Sequence, residues 1–133
     1  MTRPPRIGLS AERPYRVEAQ HLIDFAQDGM PAVLSTPSLI GWLERTAREA
    51  LMPCLSTGES SVGSEIEVSH LAPTPPGQTV TCVARVVGVD GAKVTFQIEA
   101  RDERELIARG LHRRQIIRTD RFARAVSRKS APA

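Results

Sequence analysis

The chain has 133 residues, of which 41% are apolar and 25% charged, enough to bury the core of one ordinary globular domain. Aromatic residues make up 4%, too few to predict base-stacking platforms for single-stranded nucleic acid. No apolar run reaches the roughly 18 residues of a membrane span and the N-terminus lacks a signal-peptide pattern, so a soluble, cytoplasmic protein is expected, with no membrane partner. Two cysteines, Cys54 and Cys82, have no metal or redox spacing and fit a reducing compartment.

The net charge of +3 is uneven. Arg113, Arg114, Arg118, Arg121, Arg124, Arg128 and Lys129 all fall near the C-terminus. Two readings stand: a solvated basic tail, or a patch for the phosphates of a nucleotide-containing cofactor or of nucleic acid.

Residues 1–14 are rich in proline, arginine and glycine and are expected to be extended or flexible. Tyr15 to Leu22 alternates roughly and predicts a first strand. Asp24 to Leu34 contains Asp28-Gly29 and Pro31 and reads as a loop. The chain's one long helix follows, with Thr36 expected as its cap, Pro37 at the first helical position and Pro53 ending it near Met52. At about 100° per residue, Leu39, Ile40, Leu43, Ala47, Ala50 and Leu51 form its apolar stripe. Glu44 lies at the margin of that stripe, and Thr36 lies on the same side roughly 12 Å away along the axis.

From Ser61 the period changes to two. Val62, Ser64, Ile66, Val68 and His70 are expected on one face, with Gly63 on the other. Prolines 73, 75 and 76 end this strand. Thr79 to Val89 and Lys93 to Arg101 pair through an Asp90-Gly91 hairpin, with Val94, Phe96, Ile98 and Ala100 buried. Leu106 to Arg118 is the last strand, and residues 120–133 read as a flexible basic tail. No repeat or internal boundary divides residues 1–133. The predicted fold is therefore α+β: one long helix wrapped by a five-stranded antiparallel sheet, the hot-dog arrangement, which favours a homodimer because the open sheet leaves an edge and an incomplete cleft.

No histidine has ligand spacing, and no phosphate-binding glycine loop or nucleophile elbow occurs, so no metal or separate cofactor is expected. His21 reads as structural. His112 reads as a core histidine or as part of a site. His70 ends an inward-facing series and is expected to meet the helix near Thr36 and Glu44, unless it is a buried imidazole bonded to backbone. A hydroxyl, a carboxylate and an imidazole brought together by the fold suit acyl transfer.

These residues resemble a known family. Thr36 and Glu44 on the helix, Gly58 to Gly63, Val68-Ser69-His70, Ala72 to Gly77 with Thr79-Val80-Thr81, and Gly110-Leu111-His112-Arg113-Arg114 are together similar to hot-dog thioesterases of the fluoroacetyl-CoA thioesterase type. The resemblance spans about Tyr15 to Lys129. It implies hydrolysis of a small acyl thioester of coenzyme A, or of an acyl carrier protein, with coenzyme A entering only as part of the substrate. Thr36, Glu44 and His70 would be catalytic. Gly63 would be an oxyanion donor, and Arg114 would serve a polar acyl group or a CoA phosphate. Met30 and Leu34 stand where the family carries a lid of aromatic residues, which implies an acyl pocket of altered selectivity.

Three other readings are weighed against this one. A non-catalytic acyl-CoA-binding protein would not need a carboxylate in an apolar cleft. A hydratase would carry an Asp and a His together before the helix. A nucleic-acid partner, resting on the basic tail alone, is not expected.

Overall fold

A computed structural model describes residues 3–25, 27–130 and 132. Five antiparallel strands, β1 (Ser10–Arg16), β2 (Glu59–His70), β3 (Thr79–Asp90), β4 (Lys93–Arg101) and β5 (Leu106–Arg118), form one sheet in the order β1-β3-β4-β5-β2. The long helix α1 (Thr36–Leu51) packs on one face of that sheet, and a second helix, α2 (Thr119–Ser130), follows β5 directly. The central helix wrapped by a five-stranded sheet is the hot-dog fold.

The core forms where α1 meets the sheet. Val80, Cys82, Ala84 and Val86 of β3 alternate inward, as do Val94, Phe96, Ile98 and Ala100 of β4, against Leu39, Leu43, Ala47 and Leu51 of α1. Burial raises the Cys82 thiol to about 12, so it behaves as a small apolar side chain. On α1 the buried face is turned toward Trp42 and Thr46, and Ile40 is only half-buried. The rotation comes from β1, whose Tyr15 stacks on Trp42 at 5.0 Å and 7° and whose ring hydroxyl meets Thr46 Oγ1 at 3.4 Å.

Four expectations are corrected. The first strand is Ser10–Arg16 rather than Tyr15–Leu22, and Ala19–His21 is a short 3₁₀ turn. The helix cap is Ser35, whose Oγ accepts from the Ser38 N–H at 3.3 Å, so Thr36 is already helical. In β2 a bulge between Gly63 and Glu65 shifts the register. One extra residue changes the parity of a strand, so Ser61 and Gly63 face the helix on one side of the bulge and Ile66 and Val68 pack toward the core on the other. Finally, most of the expected flexible tail, 120–133, is helix α2. Asp120 accepts from the Arg121 N–H at 2.8 Å in its first turn and lies 3.6 Å from Arg118.

Candidate active site

The start of α1 frees the Thr36 hydroxyl for another partner, because Ser35 does the capping. The end of β2 supplies that partner. The prolines beyond His70 carry the chain away from the sheet, and Thr74 there accepts from the Leu34 N–H at 2.9 Å, which ties this segment to the residues leading into α1. His70 Nδ1 then sits 2.8 Å from Thr36 Oγ1. Nε2 of His70 is buried and has no hydrogen-bond partner among the described residues. Burial pulls the His70 imidazole below its usual value, partly offset by a backbone contact with Ala72, so the ring is held neutral.

Thr36 and His70 line a cleft of about 300 Å³ together with Ile23, Phe25, Met30, Val33, Leu34 and Leu71. Met30 is exposed, while Leu34 is buried with its side chain also in the core. Phe25, 64% exposed, is an aromatic residue lining this cleft that the sequence reading overlooked. Its signal was available: the lone aromatic residue of the loop that leads to Met30 and Leu34.

Two turns along α1, Glu44 belongs to a second group. Arg114 of β5 is buried, with 4% of its side chain exposed, and its Nη1 lies 3.5 Å from Glu44 Oε2. Nε donates to Ser61 Oγ and Nη2 to the Ser61 carbonyl, both at 2.9 Å. Nη1 also points at His112 Nε2, at 3.2 Å. A guanidinium can only donate, so Nε2 of His112 accepts and its Nδ1 carries the proton, donated to the Glu65 carbonyl at 2.8 Å. Burial first, then the Arg114 charge, pull His112 down to about 4. Burial also lowers Arg114, with Glu44 opposing it. The guanidinium is thus committed to protein partners on every nitrogen and orients the Glu44 carboxylate.

Gly63 lies directly against that carboxylate: a methyl group on its Cα would overlap Glu44 Oε2 and stand 3.2 Å from His112 Cε1. Glu44, Gly63, Ser61 and Arg114 line an open cleft of about 630 Å³ with Arg45 and Arg48. A smaller one of about 260 Å³ joins Glu44 and Gly63 to Ile40, Ile66 and His112.

The fold thus brings Thr36 to His70, and Glu44 to Gly63 and Arg114. It does not bring His70 to Glu44 within one chain, since none of these clefts is lined by both. The physical reason is the helix: eight residues separate Thr36 from Glu44, roughly 12 Å of rise. Sequence reasoning left His112 between two readings. It is a buried ring stacked on Phe96 at 6.4 Å, and it is also the acceptor behind Arg114. Ser61 carried no sequence signal, because the bulge that turns it inward is not visible in its residue type. His21 lies against Trp42, at 4.8 Å edge to face, and caps the Glu18 N–H; its part is structural.

Comparison with known proteins finds relatives of this chain in sequence and in fold. Residues 17–120 match the family described as fluoroacetyl-CoA-specific thioesterase. The fluoroacetyl-CoA thioesterase of Streptantibioticus cattleyicolor is 36% identical over 107 residues, covering 80% of this chain and 76% of that protein. A solved structure of the fluoroacetyl-CoA thioesterase FlK superposes with a TM-score of 0.87 at 31% identity, covering 96% of this chain and 98% of the other. A thioesterase-superfamily protein of Thermus thermophilus superposes with a TM-score of 0.88 at 28% identity, covering 96% and 95%.

Proposed function

The chain belongs to the fluoroacetyl-CoA-specific thioesterase family, and from that premise we propose that it hydrolyses small acyl-CoA thioesters with Glu44, His70 and Thr36 as its working groups. Thioester hydrolysis follows from membership. The roles, the acyl group and the assembly are the proposal. The observation that carries the roles is the Thr36–His70 bond at 2.8 Å, which leaves the buried Nε2 without a partner. A buried polar atom left unpaired is costly, and a substrate carbonyl or sulfur would satisfy it.

The chemistry runs as a proton cycle on Glu44. Its carboxylate takes a proton from a water whose oxygen attacks the thioester carbonyl carbon. Thr36 donates to Nδ1 of His70, so Nε2 carries a proton and donates it as a hydrogen bond to the carbonyl oxygen as charge develops there, with the Gly63 N–H as the second donor. The carbon–sulfur bond then breaks, and the proton held by Glu44 goes to the departing thiolate. Acid and CoA thiol leave, and the carboxylate is restored. The apolar cleft around Phe25, Met30 and Leu34 takes the acyl group.

Glu44 and His70 must meet for this cycle, and a homodimer supplies the way. β2 lies at the sheet's edge, with one side of its ladder unpaired within the chain. Antiparallel pairing of two β2 strands about a twofold axis runs the two α1 helices in opposite directions. Thr36 and His70 of one chain then face Glu44 of the other.

The test is release of free CoA thiol from short, branched, aromatic and halogenated acyl-CoAs. Glu44→Gln keeps the side chain's shape and is expected to lower turnover by about two to four orders of magnitude, the usual worth of a general base. Its thermal unfolding should stay near wild type. Turnover of Glu44→Gln at the wild-type rate would remove the mechanism.

A further inference from the structure

The helix α2 has no part in the chemistry above, yet it carries the molecule's entire charge excess. Arg121, Arg124, Arg128 and Lys129 stand against one acid, Asp120, a net of +3 that equals the net charge of the whole chain. The other 121 residues carry fourteen basic and fourteen acidic side chains. None of the α2 residues is buried. Arg121, Arg124 and Arg128 recur at three- and four-residue spacing and so share one face. Phe122 and Val126, 43% and 50% exposed, line the adjoining face with Lys129. Arg121, Arg128 and Lys129 form no ion pair among the described residues, and Arg124 only a 4.0 Å one to Asp120.

The start of this helix is anchored. Its first residue, Thr119, bonds the Gly58 carbonyl through both its N–H, at 2.9 Å, and its hydroxyl, at 3.3 Å. Helix α2 therefore starts beside the first residues of β2, where Glu59 pairs with Arg118. The 630 Å³ cleft holding Glu44 and Arg114 extends along α1 to Arg45, Arg48 and Glu49 and along β2 back to Ser61, toward that same end. Arg118 is four residues beyond Arg114 on β5, about 13 Å at strand spacing, and α2 continues from there. The pantetheine arm of coenzyme A has about four residue lengths of extended chain, roughly 14 Å.

Resting on the thioesterase reading, we propose that α2 is the recognition element for the nucleotide end of coenzyme A. In this arrangement the thioester lies at Glu44, and the pantetheine arm follows the cleft past Arg45 and Arg48. The diphosphate and 3′-phosphate pair with Arg121, Arg124 and Arg128, and the adenine rests on Phe122. Arginine suits phosphate because its fork donates two parallel hydrogen bonds. The arrangement distinguishes CoA thioesters from thioesters that lack the nucleotide.

The test compares each acyl-CoA with the same acyl group on pantetheine, for wild type and for the triple variant Arg121→Gln/Arg124→Gln/Arg128→Gln. Wild type is expected to favour the CoA ester in kcat/KM. The triple variant should lose about tenfold of that ratio through KM, the sum of three exposed ion pairs, and lose the salt dependence of KM. Because α2 buries nothing, the triple variant should fold. A triple Arg→Lys variant should retain most of the ratio. An unchanged ratio in the glutamine variant overturns the proposal. So does hydrolysis of an acyl carrier protein thioester with indifference to CoA, or a variant defect confined to binding vesicles of anionic phospholipid. Binding of adenosine 3′,5′-bisphosphate, followed by calorimetry, separates this idea from the catalytic one. If no thioester is cleaved but the bisphosphate binds wild type and not the glutamine variant, the thioesterase reading fails and the phosphate site stands.

Discussion

Gly63 and Glu44 show how little space the Glu44 carboxylate has. The carboxylate fills the volume where a Gly63 side chain would be, so the glycine is required by packing, and its backbone needs no unusual dihedral. Gly63→Ala forces the Glu44 head aside. Because that head is the end of a flexible chain, the expected result is a fold stable to within about 1 kcal/mol of wild type and a turnover at least tenfold lower, read by thiol release alongside thermal unfolding. His112 makes a second prediction. Its imidazole is near 4 in the folded protein against about 6.5 in an unfolded chain. The unfolded state therefore binds more protons between those values, and stability falls as pH drops from 6.5 toward 4. Protonation would also put a cation against Arg114 and destroy the acceptor that holds it. Thermal unfolding from pH 7 to 4.5 should show a steep loss in wild type and a shallower one in His112→Gln, with His70, also lowered by burial, contributing in the same direction.

At the level of elements, Gly110 on β5 is the tightest point. A Cβ there would meet the Glu67 carbonyl and the Val68 Cα of β2, which are backbone atoms and cannot swing aside. Gly110→Ala should cost about 1–3 kcal/mol, the usual cost of overpacking, visible as a lower midpoint in denaturant. The limits of β3, β4 and β5 were legible in the sequence almost to the residue, since alternation and the Asp90-Gly91 turn mark them, whereas the register shifts between Val86 and Gly88 and between Ala100 and Arg101 were not. Helix α1 was legible in its limits but less so in its cap, because Ser35 and Thr36 are both good capping residues and only the backbone chooses between them. The bulge in β2 was not legible. Gly63-Ser64-Glu65 reads equally well as regular strand, and the inward turn of Ser61 and Gly63 follows from Arg114 and Glu44, which lie far away in sequence. The α2 helix was hidden by composition: four basic residues in a terminal stretch look like a tail until Phe122, Val126 and the Arg121-Arg124-Arg128 spacing are set on helical geometry.

At the level of the molecule, the divided site makes the proposed dimer testable without a structure of it. Glu44→Gln and His70→Ala homodimers should each be nearly inactive. Unfolded together and refolded as a mixture, half of the dimers are hybrids, and each hybrid holds one site with Glu44 from one chain and Thr36–His70 from the other. About a quarter of wild-type turnover should return if subunits pair at random. No recovery, with hybrids present by mass spectrometry, would place the whole site in one chain and require α1 to move.

In the proposed dimer, the two-turn separation of Thr36 and Glu44 on α1 would also shape how damage is inherited. A subunit altered at only one of the two positions, paired with an intact one, spoils one site and leaves the other running. A subunit altered at both spoils both sites of every hybrid it enters. A cell carrying one such doubly altered copy beside a normal one would keep only the quarter of dimers that are wholly normal. Two copies altered singly, one at Thr36 and the other at Glu44, inactive apart, would rescue each other.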